Sequence, residues 1–258
     1  MTNQAHSSLI RDKFTRQTTP FSTATPITDA GALKMIIDVA APGPDDTLLD
    51  VACGGGIVVC ALAPHLRHAT GIDMTPAMLD RARGLATEQR IANVTWREGD
   101  VASLPWPEAS FTIVLTRFAV HHFPDPSVVL REMVRVCAPG SRIIVVDTCA
   151  SGDPAKAEAF NRLEKLRDPS HIRALPLAEL KTLFTSTGLA EPQVSFYELR
   201  DEVKNLLARS FPNPGDEVKV SEMFAASVAD DRLGIPVCRD GDRLEYAYPV
   251  AILAARRN

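Results

Sequence analysis

A strand-like segment that runs into a glycine turn constrains the fold of this 258-residue chain more than any other feature. Residues 48–51 form a short apolar run that contains Asp50, and the turn that follows has almost no side chains. Residues 57–63 then read as a short helix that Pro64 stops. Glycine tolerates positive φ and lets a ligand approach the backbone, while the free N–H groups of a helix start form a weakly positive pole. In doubly wound α/β folds, such a turn after the first parallel strand binds nucleotide-like ligands.

Acidic residues accompany the ends of three successive predicted strands. Asp50 lies in the first strand, Asp73 ends the second, and Asp100 follows the third. Asp73 comes about twenty residues after the glycine turn, the spacing at which a carboxylate accepts hydrogen bonds from ribose hydroxyls. If the strands are parallel, all three carboxylates meet at one edge of the sheet.

Two classes of ligand use this geometry. A dinucleotide-binding turn follows the pattern G-x-G-x-x-G/A, in which the last small residue lets the helix pack closely. Gly54 and Gly56 fit that pattern, but the third position is the bulky Val59. Asp50 beside the turn would repel a pyrophosphate, whereas it suits the positive amine and sulfonium of S-adenosylmethionine. The charges therefore favour S-adenosylmethionine over a dinucleotide.

Residues from about 45 to 150 resemble the class I S-adenosylmethionine-dependent methyltransferases. The motifs that carry the resemblance are Asp50-Val51-Ala52-Cys53-Gly54-Gly55-Gly56, Gly71-Ile72-Asp73-Met74-Thr75-Pro76-Ala77-Met78-Leu79, Gly99-Asp100-Val101-Ala102-Ser103-Leu104-Pro105, Phe111-Thr112-Ile113-Val114-Leu115, His121-His122-Phe123 and Ala138-Pro139-Gly140-Ser141-Arg142. Within that class the chain is most similar to the small-molecule methyltransferases of ubiquinone and menaquinone biosynthesis. Ala52 departs from the family pattern, which more often has glycine there.

The resemblance implies that S-adenosyl-L-methionine is the cofactor and assigns residues to each part of it. The implied cofactor-binding residues are Asp50, Ala52, Gly54, Gly56, Asp73, Met74, Asp100, Val101 and Arg117. Asp50 and the glycine turn would face the methionine part, and Arg117 would lie near its carboxylate. Asp73 would take the ribose, while Met74, Asp100 and Val101 would surround the adenine.

Three histidines are the catalytic candidates. His121 and His122 follow the fourth strand at the ligand edge, and a histidine that titrates near neutral pH can accept a proton from a phenol, enol or amine. The alternative is that both only pack beside the cofactor. His171 lies in a polar loop after the fifth strand, where it is either a substrate contact or base or, as we favour, a solvated loop residue. No residues with metal-ligand spacing complete a set, so no metal site is expected.

Composition limits the partners and the compartment. The net charge of −4 lacks the basic footprint of a nucleic-acid-binding protein, and no apolar run is long enough to span a membrane. Five cysteines without a C-x-x-C pair fit a reduced cytoplasm. We therefore expect a cytoplasmic protein with a small-molecule substrate and no nucleic-acid or membrane partner. The sequence leaves the oligomeric state open, a homodimer included.

The predicted fold is α/β, a doubly wound Rossmann-like sheet of seven strands, parallel with a final antiparallel strand. Residues 192–199 and 246–255 read as strands, and the resemblance implies that they pair as an antiparallel hairpin that finishes the sheet. Asp125-Pro126 predicts a helix start and Pro139-Gly140 its end.

Three regions are expected along the chain. Residues 1–44 form an N-terminal segment and helix, a candidate lid; residues 45–150 form the cofactor-binding core; residues 151–258 complete the sheet and carry a helical insertion at about 201–243. Phe14 and Phe21 in the first region could fold over a ligand or belong to a tail packed on the surface.

The interpretation that follows is a methyltransferase acting on a small molecule through an O, N, C or S nucleophile. The alternatives are an enzyme of the same fold that uses the cofactor for another reaction, such as a cyclisation, and a non-catalytic protein that binds S-adenosylmethionine.

Overall fold

A computed structural model describes residues 3–258, without the side chains of residues 3, 4, 19 and 21. One mixed sheet carries helices on both faces. Its strands are β1 (Thr47–Val51), β2 (His68–Asp73), β3 (Val94–Glu98), β4 (Phe111–Arg117), β5 (Cys137–Thr148), β6 (Gln193–Glu202), β7 (Val237–Asp240) and β8 (Arg243–Arg256). The helices are α1 (Asn3–Ser22), α2 (Ala30–Ala40), α3 (Ile57–Leu62), α4 (Pro76–Glu88), α5 (Pro126–Val136), α6 (Pro154–Arg167), α7 (Leu177–Ser186), α8 (Val203–Ser210) and α9 (Asp216–Asp230). Within the described chain, no helix has both the length and the apolar character needed to cross a membrane.

The sheet has the expected doubly wound order, β3-β2-β1-β4-β5-β8-β6. The strands β1 to β5 run parallel, with Asp50 paired to Gly71 of β2 and to Leu115 of β4. The strand β8 is antiparallel to both β5 and β6. Because β1 and β4 are central and buried on both faces, their sequences read as nearly continuous apolar runs. This topology confirms the predicted fold class.

The strand count is eight rather than seven. The additional strand, β7, forms a hairpin with the first part of β8, where Val237 pairs with Tyr246. Its residues are mostly exposed and follow no apolar pattern, so hydrophobic periodicity gave no signal for it. The helices α8 and α9 lie in the same region, between β6 and β7.

The helix that Asp125-Pro126 begins ends earlier than predicted. The Asp125 side chain accepts a hydrogen bond from the Ser127 N–H and caps α5, but α5 stops at Val136. Pro139-Gly140 lies within β5, where the register with β4 shifts and Gly140 has φ +74°. The Pro-Gly pair therefore forms a bulge in a strand and does not end a helix.

The N-terminal segment is a helix, α1, which packs against α4 and α8. Its buried residues include polar ones, among them Lys13 and Gln17. The Lys13 Nζ and the Gln17 Nε2 donate to the carbonyls of Phe211 and Ser210 at the end of α8. The last carbonyls of a helix have no N–H partner within that helix, and α1 supplies the donors for these two.

Candidate active site

A cavity of about 400 Å³ lies at the carboxyl ends of the parallel strands, beneath α1. It is lined by most of the residues that the sequence assigned to the cofactor: Asp50, Ala52, Gly54, Asp73, Met74, Asp100, Val101 and Arg117. The parallel register brings them together, because the turns after β1, β2 and β3 and the end of β4 meet at one edge of the sheet.

Gly56 lies outside this lining, which differs from the expectation. It precedes α3 with φ +76°, and a Cβ there would come within 2.5 Å of Trp96 and 2.8 Å of Ala82. Gly56 is therefore required where the helix packs closely against its neighbours, while Gly54 belongs to the open side of the turn. Gly54 has φ +50° and nothing within 4 Å of its Cβ position.

The rest of the turn is also unusual in conformation. Ala52 has φ +60°, a region that L-residues other than glycine seldom adopt. This conformation explains why a glycine is common at that position in similar sequences. At Gly55, a Cβ would meet the Ser22 Oγ at 2.4 Å, so the end of α1 passes directly over the turn.

Asp50 and Arg117 bring unpaired polar atoms to the cavity. The Asp50 side chain is 2% exposed and its Oδ1 has no partner among the described residues. Burial raises the pKa of Asp50 to about 8, against a lowering effect of Arg117. The Arg117 Nη1 donates to the Ile27 carbonyl at 3.0 Å, but its Nε and Nη2 are buried without a described acceptor. A ligand that carries an ammonium and a carboxylate would satisfy both groups.

Asp73 holds the glycine turn in place. Its Oδ2 accepts from the Gly54 N–H at 2.9 Å and its Oδ1 accepts from the Thr75 N–H at 2.8 Å. Burial raises the pKa of Asp73, although these backbone donors act in the opposite direction. The carboxylate thus ties β2 to the turn after β1 and lines the cavity at the same time.

Asp100 and its neighbours lie at the other end of the cavity. The Asp100 Oδ1 accepts from the Ala102 N–H at 2.9 Å, and the residue is exposed. Met74 and Val101 are half-buried cavity residues. One acidic and two apolar side chains there match what a flat base with an exocyclic amine requires.

His121 forms a buried pair with Asp147. Its Nδ1 lies 2.5 Å from the Asp147 Oδ1, and both side chains are almost fully buried. Burial lowers the pKa of His121, but the Asp147 charge and hydrogen bond outweigh it, so the pKa is raised. His121 does not line the main cavity. It contributes instead to a smaller adjoining cavity of about 70 Å³.

His122 lines both cavities. Its Nδ1 lies 3.1 Å from the Ser170 carbonyl, which can only accept, so Nδ1 carries the proton and Nε2 keeps its lone pair. The described residues provide no hydrogen-bond partner for Nε2. Burial, followed by the neighbouring His121, lowers the pKa of His122 to about 4. The ring is therefore neutral at physiological pH, with an accepting nitrogen.

His171 is not solvated, so the interpretation we favoured from the sequence is wrong, and it does not line the main cavity. It is 1% exposed, and its Nε2 donates to the Asn161 Oδ1 at 2.8 Å. Burial is the first cause of its lowered pKa. The segment that seemed to be an open polar loop is folded beneath α6, and His171 lies beside His121 with ring centroids 5.5 Å apart.

The helix α1 adds cavity residues that sequence reasoning missed, His6 and Ile10, to Phe14, for which contact with a ligand was one of two expectations. The Phe14 ring meets the His122 ring edge to face at 5.2 Å. The spacing of four residues between His6, Ile10 and Phe14 is the signal that could have identified them, because it places them on one face of a helix. The Phe21 side chain lies outside the described part of the structure.

This arrangement is that of a class I methyltransferase, with an acid-lined cofactor cavity at the strand ends and a second cavity beside it. Residues 49–145 match the family model of a methyltransferase domain. The chain is 31% identical over 224 residues to the uncharacterized methyltransferase YcgJ of Bacillus subtilis (strain 168), a match that covers 86% of this chain and 88% of the relative. The crystal structure of YcgJ superposes with a TM-score of 0.80 at 29% identity, covering 88% of this chain and 99% of that one.

Two further comparisons agree. The demethylmenaquinone methyltransferase of Listeria monocytogenes serotype 4a (strain HCC23) is 35% identical over 117 residues, which cover 44% of this chain and 49% of that relative. A geranyl diphosphate C-methyltransferase from Streptomyces coelicolor A3(2), solved with S-adenosyl-L-homocysteine, shares the fold with a TM-score of 0.63 at 19% identity, over 89% of this chain and 79% of that one. The chain belongs to the S-adenosylmethionine-dependent methyltransferases.

Proposed function

We propose that this enzyme transfers the methyl group to a protic atom of a small-molecule acceptor, with His122 as the general base. The observation that carries the proposal is the state of His122, a neutral ring with a free Nε2 that borders both cavities. The larger cavity holds the cofactor, and the acceptor lies where this cavity meets the smaller one, beside His122.

The cofactor would lie with its amino acid part against the unpaired atoms of Asp50 and Arg117. The Asp50 carboxylate would pair with the ammonium, and the Arg117 Nε and Nη2 would pair with the carboxylate. Asp73 would accept from the ribose hydroxyls, and Met74, Asp100 and Val101 would enclose the adenine. For Asp50 and Arg117, the assignment gives a partner to atoms that are otherwise buried without one. The other residues are assigned because they line the cavity.

The bound cofactor supplies an electrophilic methyl group, and in-line attack forms the new bond while the carbon–sulfur bond breaks. The protein aligns the acceptor, excludes water and removes the proton. His122 would accept that proton at Nε2, since Nδ1 is held by Ser170. The His121–Asp147 pair would fix the short helical turn that carries both histidines.

The acceptor would enter between the two cavities. They share Phe14, Ile27, Phe118 and His122, so apolar and aromatic surfaces surround the passage between them. We infer that the acceptor has an apolar or aromatic part. With α1 across both cavities, residues 1–44 would act as a lid that opens for exchange of ligands.

Incubation with S-adenosylmethionine labelled at the methyl carbon and a fractionated cell extract tests the proposal. We expect the label to appear in a small molecule, in amounts that depend on the wild-type enzyme and fall sharply with His122→Ala. His68→Ala is the control, because His68 is a partly buried residue of β2 that lies outside both cavities. If the cofactor binds but no small molecule is labelled, the proposed transfer is wrong.

A further inference from the structure

We propose that His6 of α1 is part of the acceptor site and that its Nδ1 accepts a hydrogen bond from an O–H or N–H of the acceptor. The acceptor would accordingly be a neutral, protic molecule such as an alcohol, a phenol or an uncharged amine. This inference rests on the proposed methyl transfer.

The hydrogen bonding of His6 defines which of its nitrogens is free. The His6 Nε2 lies 2.9 Å from the His122 backbone carbonyl, which can only accept, so Nε2 carries the proton. In the neutral ring, Nδ1 then holds a lone pair. It is buried and has no partner among the described residues, in a side chain that is 4% exposed. A buried acceptor without a donor is unfavourable, and a ligand that donates to it removes that cost.

His6 lies where an acceptor must approach. It lines the main cavity, and its hydrogen bond is to the backbone of the proposed base. Phe14, two helical turns further along α1, packs on the His122 ring. The helix therefore brings a second accepting nitrogen to the cavity that the His122 ring lines. Two acceptors in the lining of one cavity call for a ligand with hydrogens to donate.

The charges around the cavities argue for a neutral acceptor. Among the described residues that line the main cavity, Arg117 is the one permanent cation, and the cofactor carboxylate would occupy it. In the smaller cavity, Arg167 pairs with Glu164 and Arg209 pairs with Asp201. A phosphate or carboxylate on the acceptor would find no uncommitted cation there. This excludes acceptors that depend on an anionic group for binding.

Substitutions of His6 separate hydrogen bonding from helix anchoring. His6→Phe keeps a planar ring at this position but removes both the Nε2 donor to the His122 carbonyl and the Nδ1 acceptor. Lys13→Ala removes a different anchor of α1, its bond to the Phe211 carbonyl, at a residue that lines neither cavity, and leaves His6 intact. Each variant removes one anchor of the same helix, so a difference between them reports on the Nδ1 atom.

The measurement uses the acceptor identified by isotope labelling, with steady-state kinetics and calorimetric titration of S-adenosyl-L-homocysteine. We expect His6→Phe to raise the KM for the acceptor about tenfold, the equivalent of one lost hydrogen bond, while the affinity for S-adenosyl-L-homocysteine stays within about twofold. Nitrogen-15 NMR of the histidine rings should show His6 protonated at Nε2, with the Nδ1 resonance shifted when the acceptor is added to the S-adenosyl-L-homocysteine complex.

Three results would contradict the inference. An unchanged KM in His6→Phe removes His6 from the acceptor site while leaving the proposed function intact. Equal increases in KM and in the dissociation constant for S-adenosyl-L-homocysteine in His6→Phe and Lys13→Ala would reduce His6 to an anchor of α1. Absence of any methylated product from the wild-type enzyme would overturn the proposed function itself, and the inference with it.

Discussion

At the scale of single residues, the buried carboxyl of Asp50 lowers the stability of the ligand-free protein and offers a partner to a cationic ligand. Burial raises its pKa to about 8, so the folded protein binds a proton there that the unfolded chain has lost. Between the ordinary pKa of an aspartate and about 8, the folded state therefore loses stability as the pH rises. A cationic ligand reverses this effect by pairing with the ionised form.

Replacement of Asp50 by Asn should separate these two effects. Asn remains neutral at every pH, so we expect Asp50→Asn to raise the thermal midpoint of the ligand-free protein at pH 8 relative to wild type, with a smaller difference at pH 5. The same change should weaken S-adenosylmethionine binding. Thermal scans at both pH values, with and without S-adenosylmethionine, measure the change in stability and the loss of binding. A variant that is less stable than wild type at pH 8 would contradict the assignment.

The lowered pKa of His122 leads to a second prediction, which concerns the pH dependence of kcat/KM. Since its pKa is about 4, the ring can accept a proton throughout the range in which an ordinary histidine would titrate. We expect kcat/KM to show no fall between pH 7.5 and about 5.5 from this group. His122→Ala should lower the rate by roughly two to four decades with little change in cofactor affinity. A fall in activity centred near the usual pKa of histidine would indicate another base.

At the scale of elements, two of the three glycines in the turn between β1 and α3, Gly54 and Gly56, have different structural roles. Gly56 has no room for a Cβ, because Trp96 and Ala82 close over it, whereas Gly54 faces open space. Both have positive φ, so an alanine is strained at either position. Substitutions at the two positions therefore separate the effect of close packing from the effect of ligand contact.

Alanine substitutions at the two glycines should therefore differ in their effects on stability and on cofactor binding. Gly56→Ala adds a steric clash to the backbone strain and should lower the free energy of unfolding by roughly 2–4 kcal/mol. Gly54→Ala carries the strain alone, roughly 1–2 kcal/mol, and should mainly weaken cofactor binding. Chemical denaturation and calorimetry give the two quantities. Equal losses of stability in both variants would mean that the close packing at Gly56 has no energetic weight.

At the scale of the whole molecule, local signals predicted the sheet and the cofactor edge well. The apolar runs of β1 and β4, the glycine turn and the acidic strand ends are each encoded within a few residues, and together they defined the fold and the cavity. The two ends of the chain were harder to predict. The strand β7 is short and exposed, and α1 is a polar helix whose burial depends on hydrogen bonds to Ser210 and Phe211 about 200 residues away.

The catalytic candidates show the same limit of prediction from local sequence. His122 was expected at the ligand edge and lies there, since its position follows directly from β4. The environment of His171 could not be read locally, because α6 and Asn161 bury it. His6 has a role only once α1 lies across the sheet edge. Side chains positioned by tertiary packing were therefore the ones that sequence patterns missed.

The most direct measurement of how this enzyme holds its cofactor is calorimetric titration of S-adenosylmethionine at pH 7 in buffers that differ in ionisation enthalpy. We expect a dissociation constant in the micromolar range, about −8 kcal/mol, and no measurable binding of nicotinamide dinucleotides. We also expect release of close to one proton as Asp50 ionises against the ammonium, and loss of this release in Asp50→Asn. Tight binding of a dinucleotide, or binding of S-adenosylmethionine without proton release, would contradict the cavity assignment.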